Sequence, residues 1–169
     1  MTLAERCRQI EGLMLDVDGV LTAGDIIYNS EGWEIKLFHV RDGSAIKLWQ
    51  KVGKKLGILS GRQSLVTALR ARELGIDFVE QGNANKLPGY RKLLEQWNLE
   101  PSQIAYMGDD LPDLSVMKRS GLVMAPADAC GEVLAAAHYV SREPGGRGAV
   151  RSAIETILCS QGLWPLSQE

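Results

Sequence analysis

The chain has 169 residues, 45% of them hydrophobic and 24% charged, and these proportions predict one globular domain with a sizeable core. Its 19 basic and 21 acidic side chains leave a net charge of -2, so no basic excess indicates a nucleic-acid partner. No apolar stretch is long enough to span a membrane, and the polar first residues do not resemble a signal peptide, so we expect a soluble cytoplasmic protein without membrane contact.

Short apolar runs alternate with amphipathic stretches along most of the chain, which predicts a parallel β-sheet covered by helices on both faces. The predicted strands are residues 12–17, 56–60, 76–79, 104–107 and 121–124. The spacing of apolar residues predicts helices over 44–51, 64–74, 88–97, 112–118 and 149–159. The fold class that follows is α/β, a three-layer Rossmann-like arrangement in which residues 1–169 form a single domain.

Residues 23–39 interrupt this alternation and predict a β-hairpin with its turn at 29–32. An isolated hairpin is only marginally stable in water, and this one is rich in apolar side chains. We therefore expect it to pack against another part of the protein or another subunit. Near the end of the chain, the glycine-rich residues 144–148 predict a flexible turn before the last helix.

Acidic and phosphate-binding residues follow the predicted strands, at the edge where an open parallel sheet binds its ligands. Asp16 and Asp18 lie at the end of the first strand, and two carboxylates this close need a cation or a shared proton. Oxygen ligands favour Mg²⁺ as that cation. The same edge receives residues suited to a phosphate and further acids, namely Ser60, Gly61, Lys86, Asp109, Asp110 and Asp113.

Simpler explanations account for single members of this set. A strand-end aspartate is often a helix cap, and a lone lysine is usually a surface residue. A calcium-binding EF-hand needs a glutamate at the twelfth position of its loop, but Asp16 leads to Ile27 and Asp109 to Ser120. No Walker phosphate-binding loop is present, and Ser60 has no histidine in the pattern of a hydrolase triad. The ordered set at successive strand ends therefore carries the prediction.

The four groups resemble, in the same order, the four motifs of the haloacid dehalogenase superfamily. They are Asp16-x-Asp18-Gly19-Val20, Ser60-Gly61, Lys86 and Gly108-Asp109-Asp110-x-x-Asp113. Nearly the whole chain is similar to one family within it, the 3-deoxy-D-manno-octulosonate 8-phosphate phosphatases, through residues 21–24, the hairpin, 40–43, 58–62 and 145–151. This resemblance implies a haloacid dehalogenase-like fold without a cap domain and with a hairpin insertion at about 23–39.

The resemblance also implies a magnesium-dependent phosphatase with an aspartyl-phosphate intermediate. Asp16 would be the nucleophile, and Asp18 would protonate the leaving oxygen and then take a proton from the attacking water. Mg²⁺ would be bound by the Asp16 carboxylate, the Asp18 backbone carbonyl and Asp109. Asp113 would support Lys86 or the metal, and Asp110 would either support the site or cap a helix.

Substrate contacts are implied in the same way. Ser60, the Gly61 amide and Lys86 would hold the phosphoryl group. The family positions for substrate contact correspond here to Asp18, His39, Val40, Arg41, Asp42, Gly43, Lys47, Gly61, Arg62, Arg70 and Lys86. Lys47 stands where we expect an arginine, which weakens bidentate recognition of a carboxylate.

We therefore expect hydrolysis of 3-deoxy-D-manno-octulosonate 8-phosphate in lipopolysaccharide precursor synthesis. The resemblance implies a homotetramer with the hairpin and the C-terminal tail at subunit contacts, where the tail can close a neighbouring active site. The nearest alternative is a phosphatase of a related sugar acid phosphate, such as a nonulosonate 9-phosphate. A phospho-acceptor receiver-like module needs no second aspartate such as Asp18, and a non-catalytic assembly subunit would not need the intact acidic set.

Overall fold

The computed structural model describes residues 1–164, which form eight strands, seven α-helices and two short 3₁₀ turns. The strands are β1 (Gly12–Leu15), β2 (Ile27–Tyr28), β3 (Glu34–Ile35), β4 (Lys55–Leu59), β5 (Phe78–Glu80), β6 (Ile104–Met107), β7 (Leu122–Ala125) and β8 (Tyr139–Val140). The helices are α1 (Leu3–Arg8), α2 (Val40–Lys51), α3 (Leu65–Leu74), α4 (Leu87–Trp97), α5 (Leu114–Met117), α6 (Gly131–Ala136) and α7 (Ala149–Ser160). The 3₁₀ turns are Pro101–Gln103 and Leu111–Asp113.

Six of the strands form one parallel sheet in the order β5-β4-β1-β6-β7-β8, and β2 and β3 form a separate antiparallel hairpin. In β1, Leu13 and Leu15 belong to a buried cluster with α1, α2, α3 and α7, whereas Met14 belongs to a second cluster with α4, α5 and α6. Alternate residues of a strand point to opposite faces, so helices cover both sides of the sheet. The predicted three-layer α/β fold is confirmed.

The central strand β1 positions the site because it pairs with β4 on one side and β6 on the other. Leu15 is in register with Ile58 and with Met107. The N–H of Asp16 donates to the Met107 carbonyl at 3.0 Å, which extends the ladder by one residue. The residues that follow these three strands therefore meet at one edge of the sheet, as the strand-end pattern predicted.

The boundaries of several elements differ from the sequence-based expectation. The hairpin strands are shorter than expected, and β8 and α6 were not predicted. Helix α2 begins at Val40, four residues before its predicted start, and includes Gly43, a residue of low helix propensity. A Cβ at Gly43 would lie 2.5 Å from the Arg70 guanidinium, so a larger residue there would displace the Arg70 side chain.

The segment 144–148 is packed, whereas the sequence suggested a flexible turn. The N–H of Gly145 donates to Asp128 Oδ1 at 2.9 Å, and the N–H of Gly146 donates to the Val20 carbonyl at 2.9 Å. A Cβ at Gly145 would collide with the backbone of Gly19. These glycines thus hold the start of α7 against the loop after β1. Within the described residues, no helix is both long enough and apolar enough to cross a membrane.

Candidate active site

An open cavity of about 370 Å³ lies at the carboxyl ends of β1, β4 and β6. The predicted residues that line it are Asp16, Asp18, Ser60, Gly61, Arg62, Lys86, Asp109, Asp110 and Asp113. Gly24, Ala84 and Pro112 complete the lining. The structure thus brings together the predicted catalytic residues, the predicted carboxylate ligands of the metal and part of the predicted substrate-binding set.

Lys86 lies between two carboxylates at the floor of this cavity. Its Nζ is 2.9 Å from Asp16 Oδ1 and 2.6 Å from Asp113 Oδ1, and its side chain is 3% exposed. Burial alone would lower the pKa of Lys86, but the adjacent Asp16 and Asp113 carboxylates outweigh that effect and raise it above its ordinary value. The ammonium therefore stays charged beside Asp16.

Asp113 organises the loop that follows β6. Its Oδ1 accepts from Lys86 and from the Tyr106 hydroxyl at 2.5 Å, and its Oδ2 accepts the backbone N–H groups of Asp109 at 3.0 Å and Asp110 at 3.2 Å. Asp110 in turn accepts the N–H of Leu111 at 2.8 Å and so caps the following 3₁₀ turn. Asp113 therefore acts as an acceptor for these donors and orients both Lys86 and the Asp109 loop.

Asp16 and Asp109 have the properties of metal ligands. Oxygens of Asp16, Asp109 and Asp113 lie within 4.8 Å of one another, and Asp109 Oδ1 is buried without a hydrogen-bond partner among the described residues. Burial, with Asp16 and Asp113 nearby, raises the pKa of Asp109 to about 8. Burial likewise raises the pKa of Asp16 to about 6, despite the opposing effect of Lys86.

Burial and mutual repulsion disfavour the ionised forms of these carboxylates, and a divalent cation would offset both effects, so the site fits a divalent metal. Because Asp113 already accepts four hydrogen bonds, the carboxylates that would hold Mg²⁺ are those of Asp16 and Asp109. The loop after β1 approaches Asp109 closely. Gly19 has a positive φ of 88°, and a Cβ there would collide with the Asp109 carboxylate.

Asp18 points away from this group, towards the hairpin. Its carboxylate forms an ion pair with Lys36 Nζ and accepts from the Thr22 hydroxyl at 3.4 Å. Arg62 Nη1 lies 3.7 Å from Asp18 Oδ2, within ion-pair range but beyond hydrogen-bond distance. Sequence reasoning did not identify Lys36, whose only sequence signal is a single basic residue inside an apolar hairpin arm.

The segment after β4 that is predicted to bind phosphate is fixed from both sides. The Ser60 N–H donates to the Glu80 carbonyl at 2.9 Å, and Ser60 Oγ accepts the N–H of Arg62 at 3.3 Å. Arg62 Nη2 donates to Glu34 Oε1 of the hairpin at 3.1 Å. Ser60 and Gly61 thus face the cavity from β4, while Arg62 reaches towards the hairpin.

Other predicted substrate contacts do not line the cavity in the described chain. His39 and Arg41 border a separate cavity of about 250 Å³, together with Arg147 and Arg151. Asp42 is buried and accepts the N–H of Gly148 at 3.2 Å and of Arg151 at 2.8 Å, so it caps the start of α7.

Val40 and Gly43 lie in the first turn of α2, where Val40 is exposed and Gly43 packs against Arg70. Lys47 Nζ donates to the Glu73 carbonyl at 3.2 Å, and Arg70 pairs with the Glu73 carboxylate at 2.8 Å. In the described structure the Lys47 and Arg70 side chains thus contact other protein groups. Their contact with a substrate stays a prediction.

Comparison with known proteins gives concordant results. A model of haloacid dehalogenase-like hydrolases matches residues 73–152. A 3-deoxy-D-manno-octulosonate 8-phosphate phosphatase of Yersinia pestis is 43% identical over 157 residues, which cover 93% of this chain and 84% of the relative. The corresponding phosphatase of Escherichia coli (strain K12) is 41% identical, with 93% of this chain and 84% of the relative covered.

Solved structures agree with these sequence relatives. The Yersinia pestis phosphatase has a TM-score of 0.94 at 42% identity, with 95% of this chain and 87% of that chain covered. A phosphatase of the same description from Moraxella catarrhalis, in complex with a magnesium ion, a phosphate ion and 3-deoxy-D-manno-octulosonate (KDO), has a TM-score of 0.91 at 39% identity. That comparison covers 94% of this chain and 91% of the other.

Proposed function

Because this chain belongs to the 3-deoxy-D-manno-octulosonate 8-phosphate phosphatase family of haloacid dehalogenase-like hydrolases, and is thereby a phosphoric monoester hydrolase, we propose that 3-deoxy-D-manno-octulosonate 8-phosphate is its substrate. The observation that carries the proposal is the buried Asp16, 2.9 Å from Lys86, in a cavity also lined by Asp18, Ser60 and Asp109. This arrangement offers a nucleophile, a cation for the phosphoryl group and a second carboxylate for proton transfer.

Asp16 is proposed to attack phosphorus, so that an oxygen–phosphorus bond to Asp16 forms while the bond to the sugar oxygen breaks. Lys86, the Ser60 hydroxyl and the Gly61 amide would hold the phosphoryl oxygens. Asp18 would donate a proton to the departing sugar oxygen and later accept one from the water that hydrolyses the aspartyl-phosphate. Mg²⁺, when bound, would offset the repulsion between the Asp16 carboxylate and the phosphate dianion.

We also propose that activity depends on Mg²⁺, with the Asp18 backbone carbonyl as a further ligand. The raised pKa values of Asp16 and Asp109, and the unpartnered Asp109 Oδ1, support this proposal. The product would enter lipopolysaccharide precursor synthesis in the cytoplasm, a role implied by the family resemblance.

A homotetramer with the hairpin at subunit contacts is proposed on the same resemblance. Apolar exposure supports it, because the hairpin leaves large apolar side chains uncovered in the single chain. They are Ile26, Tyr28, Trp33, Ile35 and Leu37. The last part of the tail, residues 165–169, lies outside the described residues, and so does its proposed contact with a neighbouring subunit.

The test is phosphate release by the purified protein from 3-deoxy-D-manno-octulosonate 8-phosphate and from a nonulosonate 9-phosphate, each with Mg²⁺ and with EDTA. We expect the higher kcat/KM on the eight-carbon substrate and loss of turnover in EDTA. Preference for the nine-carbon substrate would assign the protein to the alternative phosphatase. Turnover unaffected by EDTA would refute the proposed metal dependence.

A further inference from the structure

Lys36 is a buried cation at the base of an exposed hairpin. It directly follows β3, between Ile35 and Leu37, which are 42% and 63% exposed. The Lys36 side chain is only 1% exposed and forms ion pairs with the carboxylates of Asp18 and, at 3.4 Å, Glu34. Alternation along the hairpin arm thus directs two apolar residues outwards and one ammonium group towards Asp18, which lines the cavity.

Glu34 fixes the position of that ammonium. Besides Lys36, it accepts a hydrogen bond from the Ser64 hydroxyl and pairs with Arg62 at 3.1 Å. The Ser64 hydrogen bond and the neighbouring Lys36 and Arg62 charges hold the pKa of Glu34 below its ordinary value, so it stays ionised. Ser64 also caps α3, and the hairpin is therefore tied to the helix that follows the phosphate-binding segment.

We propose that Lys36 is a positioning residue that holds the Asp18 carboxylate in place for proton transfer, which makes the hairpin part of its own chain's active site. The inference rests on the proposed phosphatase function. Apart from Lys36, the described contacts of Asp18 are the Thr22 hydroxyl at 3.4 Å and Arg62 at 3.7 Å, both long.

A general acid acts only within hydrogen-bond reach of the atom that it protonates, so its orientation matters for the rate. Asp18 would enter this step protonated. As the bond between phosphorus and the sugar oxygen breaks and the bond to Asp16 forms, its proton passes to the sugar oxygen, and the Asp18 carboxylate that remains is the form that pairs with Lys36. An Asp18 side chain released from Lys36 would rotate towards Arg62 or solvent and would deliver that proton less often.

The test compares leaving groups, since a merely structural role would not depend on them. In Lys36→Met, the side chain keeps a similar length and loses its charge. A sugar phosphate has a poor alkoxide leaving group that needs protonation, whereas p-nitrophenyl phosphate releases a stable phenolate. Because kcat/KM reports steps up to transfer of phosphorus to Asp16, we expect it to fall by about 10- to 100-fold for the sugar phosphate and to change little for the aryl phosphate.

The ratio of the two kcat/KM values, measured on one sample, cancels any difference in the fraction of folded enzyme. Lys54→Met is the matched control, because Lys54 is also a largely buried lysine but lies at the amino end of β4, away from the cavity. Its Nζ pairs with Glu11 at 3.0 Å and donates to the Ile10 carbonyl at 2.7 Å. Its ratio should equal that of the wild type. Lys36→Gln provides a second neutral variant with the same expected direction, and Lys36→Arg should restore part of the ratio.

An unchanged ratio in both neutral Lys36 variants, or an equal loss on both substrates, would overturn the positioning role. If the wild-type protein hydrolysed neither the sugar phosphate nor the aryl phosphate, the proposed function itself would be overturned. The two results are therefore distinguishable.

Discussion

Two lysine–carboxylate groups meet at the cavity, and they are built from different parts of the chain. In the first, Lys86 joins Asp16 and Asp113. In the second, Lys36 joins Asp18 and Glu34. The first group is supplied by residues at the ends of sheet strands and the loops after them, whereas two of the three residues of the second, Glu34 and Lys36, belong to the hairpin.

The comparison shows how one chain separates two chemical tasks. The Lys86 group surrounds the proposed nucleophile and metal site with core elements, which are rigid because the sheet and its helices pack on them. The Lys36 group holds the proposed proton donor from an insertion with little core of its own. We expect substitutions in the first group to lower both the stability of the fold and the turnover of every phosphate ester. Substitutions in the second group should affect mainly the proton-transfer step.

The largest effect is expected from Asp16→Asn, which removes the nucleophile from the Lys86 group. Turnover should fall by at least about a thousandfold, because no aspartyl-phosphate can form. Phosphate release measures the loss, and intact-mass analysis after rapid quenching should show a phosphoryl adduct in the wild type alone. Asp77→Asn, at an exposed residue directly before β5 and away from the cavity, is the control and should retain most activity. An Asp16→Asn protein with turnover near the wild-type level would remove Asp16 from its role.

Lys86→Met should come next, with losses in both activity and stability. It leaves Asp16 and Asp113 without their shared cation, and breaking a buried ion pair costs about 3 kcal/mol or more. Denaturant unfolding measures the stability, and kcat/KM on aryl and sugar phosphates should fall together. A Lys86 variant with selective loss on sugar phosphate would contradict the division between the two groups.

The pH dependence of stability is a third way to distinguish the two groups, because only the Lys86 group includes a proposed carboxylate ligand of the metal, Asp16. In the metal-free protein, the pKa of Asp16 is raised from 3.8 to about 6 and that of Asp109 from 3.8 to about 8. The folded state therefore binds more protons than the unfolded state in this window. Stability from these groups is fully present below about pH 4 and is lost as pH rises towards 8.

In EDTA, we therefore expect the melting temperature to decline from mildly acidic pH to pH 8, and Mg²⁺ to raise it most at the alkaline end. Differential scanning calorimetry at several pH values, with and without Mg²⁺, measures both trends. Asp109→Asn serves as the control, because it removes the group with the larger shift and should flatten the EDTA curve. Equal Mg²⁺ stabilisation at both ends of the range would contradict the assignment.

The difference between the two groups also explains how much of the site could be predicted from the sequence. Asp16, Ser60 and Asp109 follow three neighbouring parallel strands, and parallel strands end at a common edge, so their meeting follows from strand order. The Lys36–Asp18 pair joins a hairpin to a strand end through side-chain orientation, which no periodicity reports. The Asp42 cap on α7 spans 106 residues between Asp42 and Gly148 and leaves no local signal either.

The smallest predicted effect concerns Tyr106, a residue that supports Asp113 in the first group. Tyr106 is fully buried in β6 and donates to Asp113 at 2.5 Å, while burial and the nearby Asp113 raise the pKa of its hydroxyl well above the ordinary value and keep it neutral. Tyr106→Phe removes one of the four donors to Asp113 and should cost about 1–2 kcal/mol of unfolding free energy. Activity should fall only a few-fold, since Lys86 keeps both carboxylate partners.

Tyr90→Phe is the matched control for this change. Tyr90 is also buried, but the contacts of its hydroxyl within residues 1–164 are long, at 3.4 Å to the Arg119 carbonyl and 3.4 Å to Ser120, so its removal should cost less. Urea unfolding of both variants, with kcat/KM on the same preparations, tests the difference. Equal costs for the two tyrosines would mean that the Tyr106 hydroxyl does not reinforce Asp113, and the rigidity of the Lys86 group would then rest on Asp113's bonds to Lys86 and to the backbone N–H groups of its own loop.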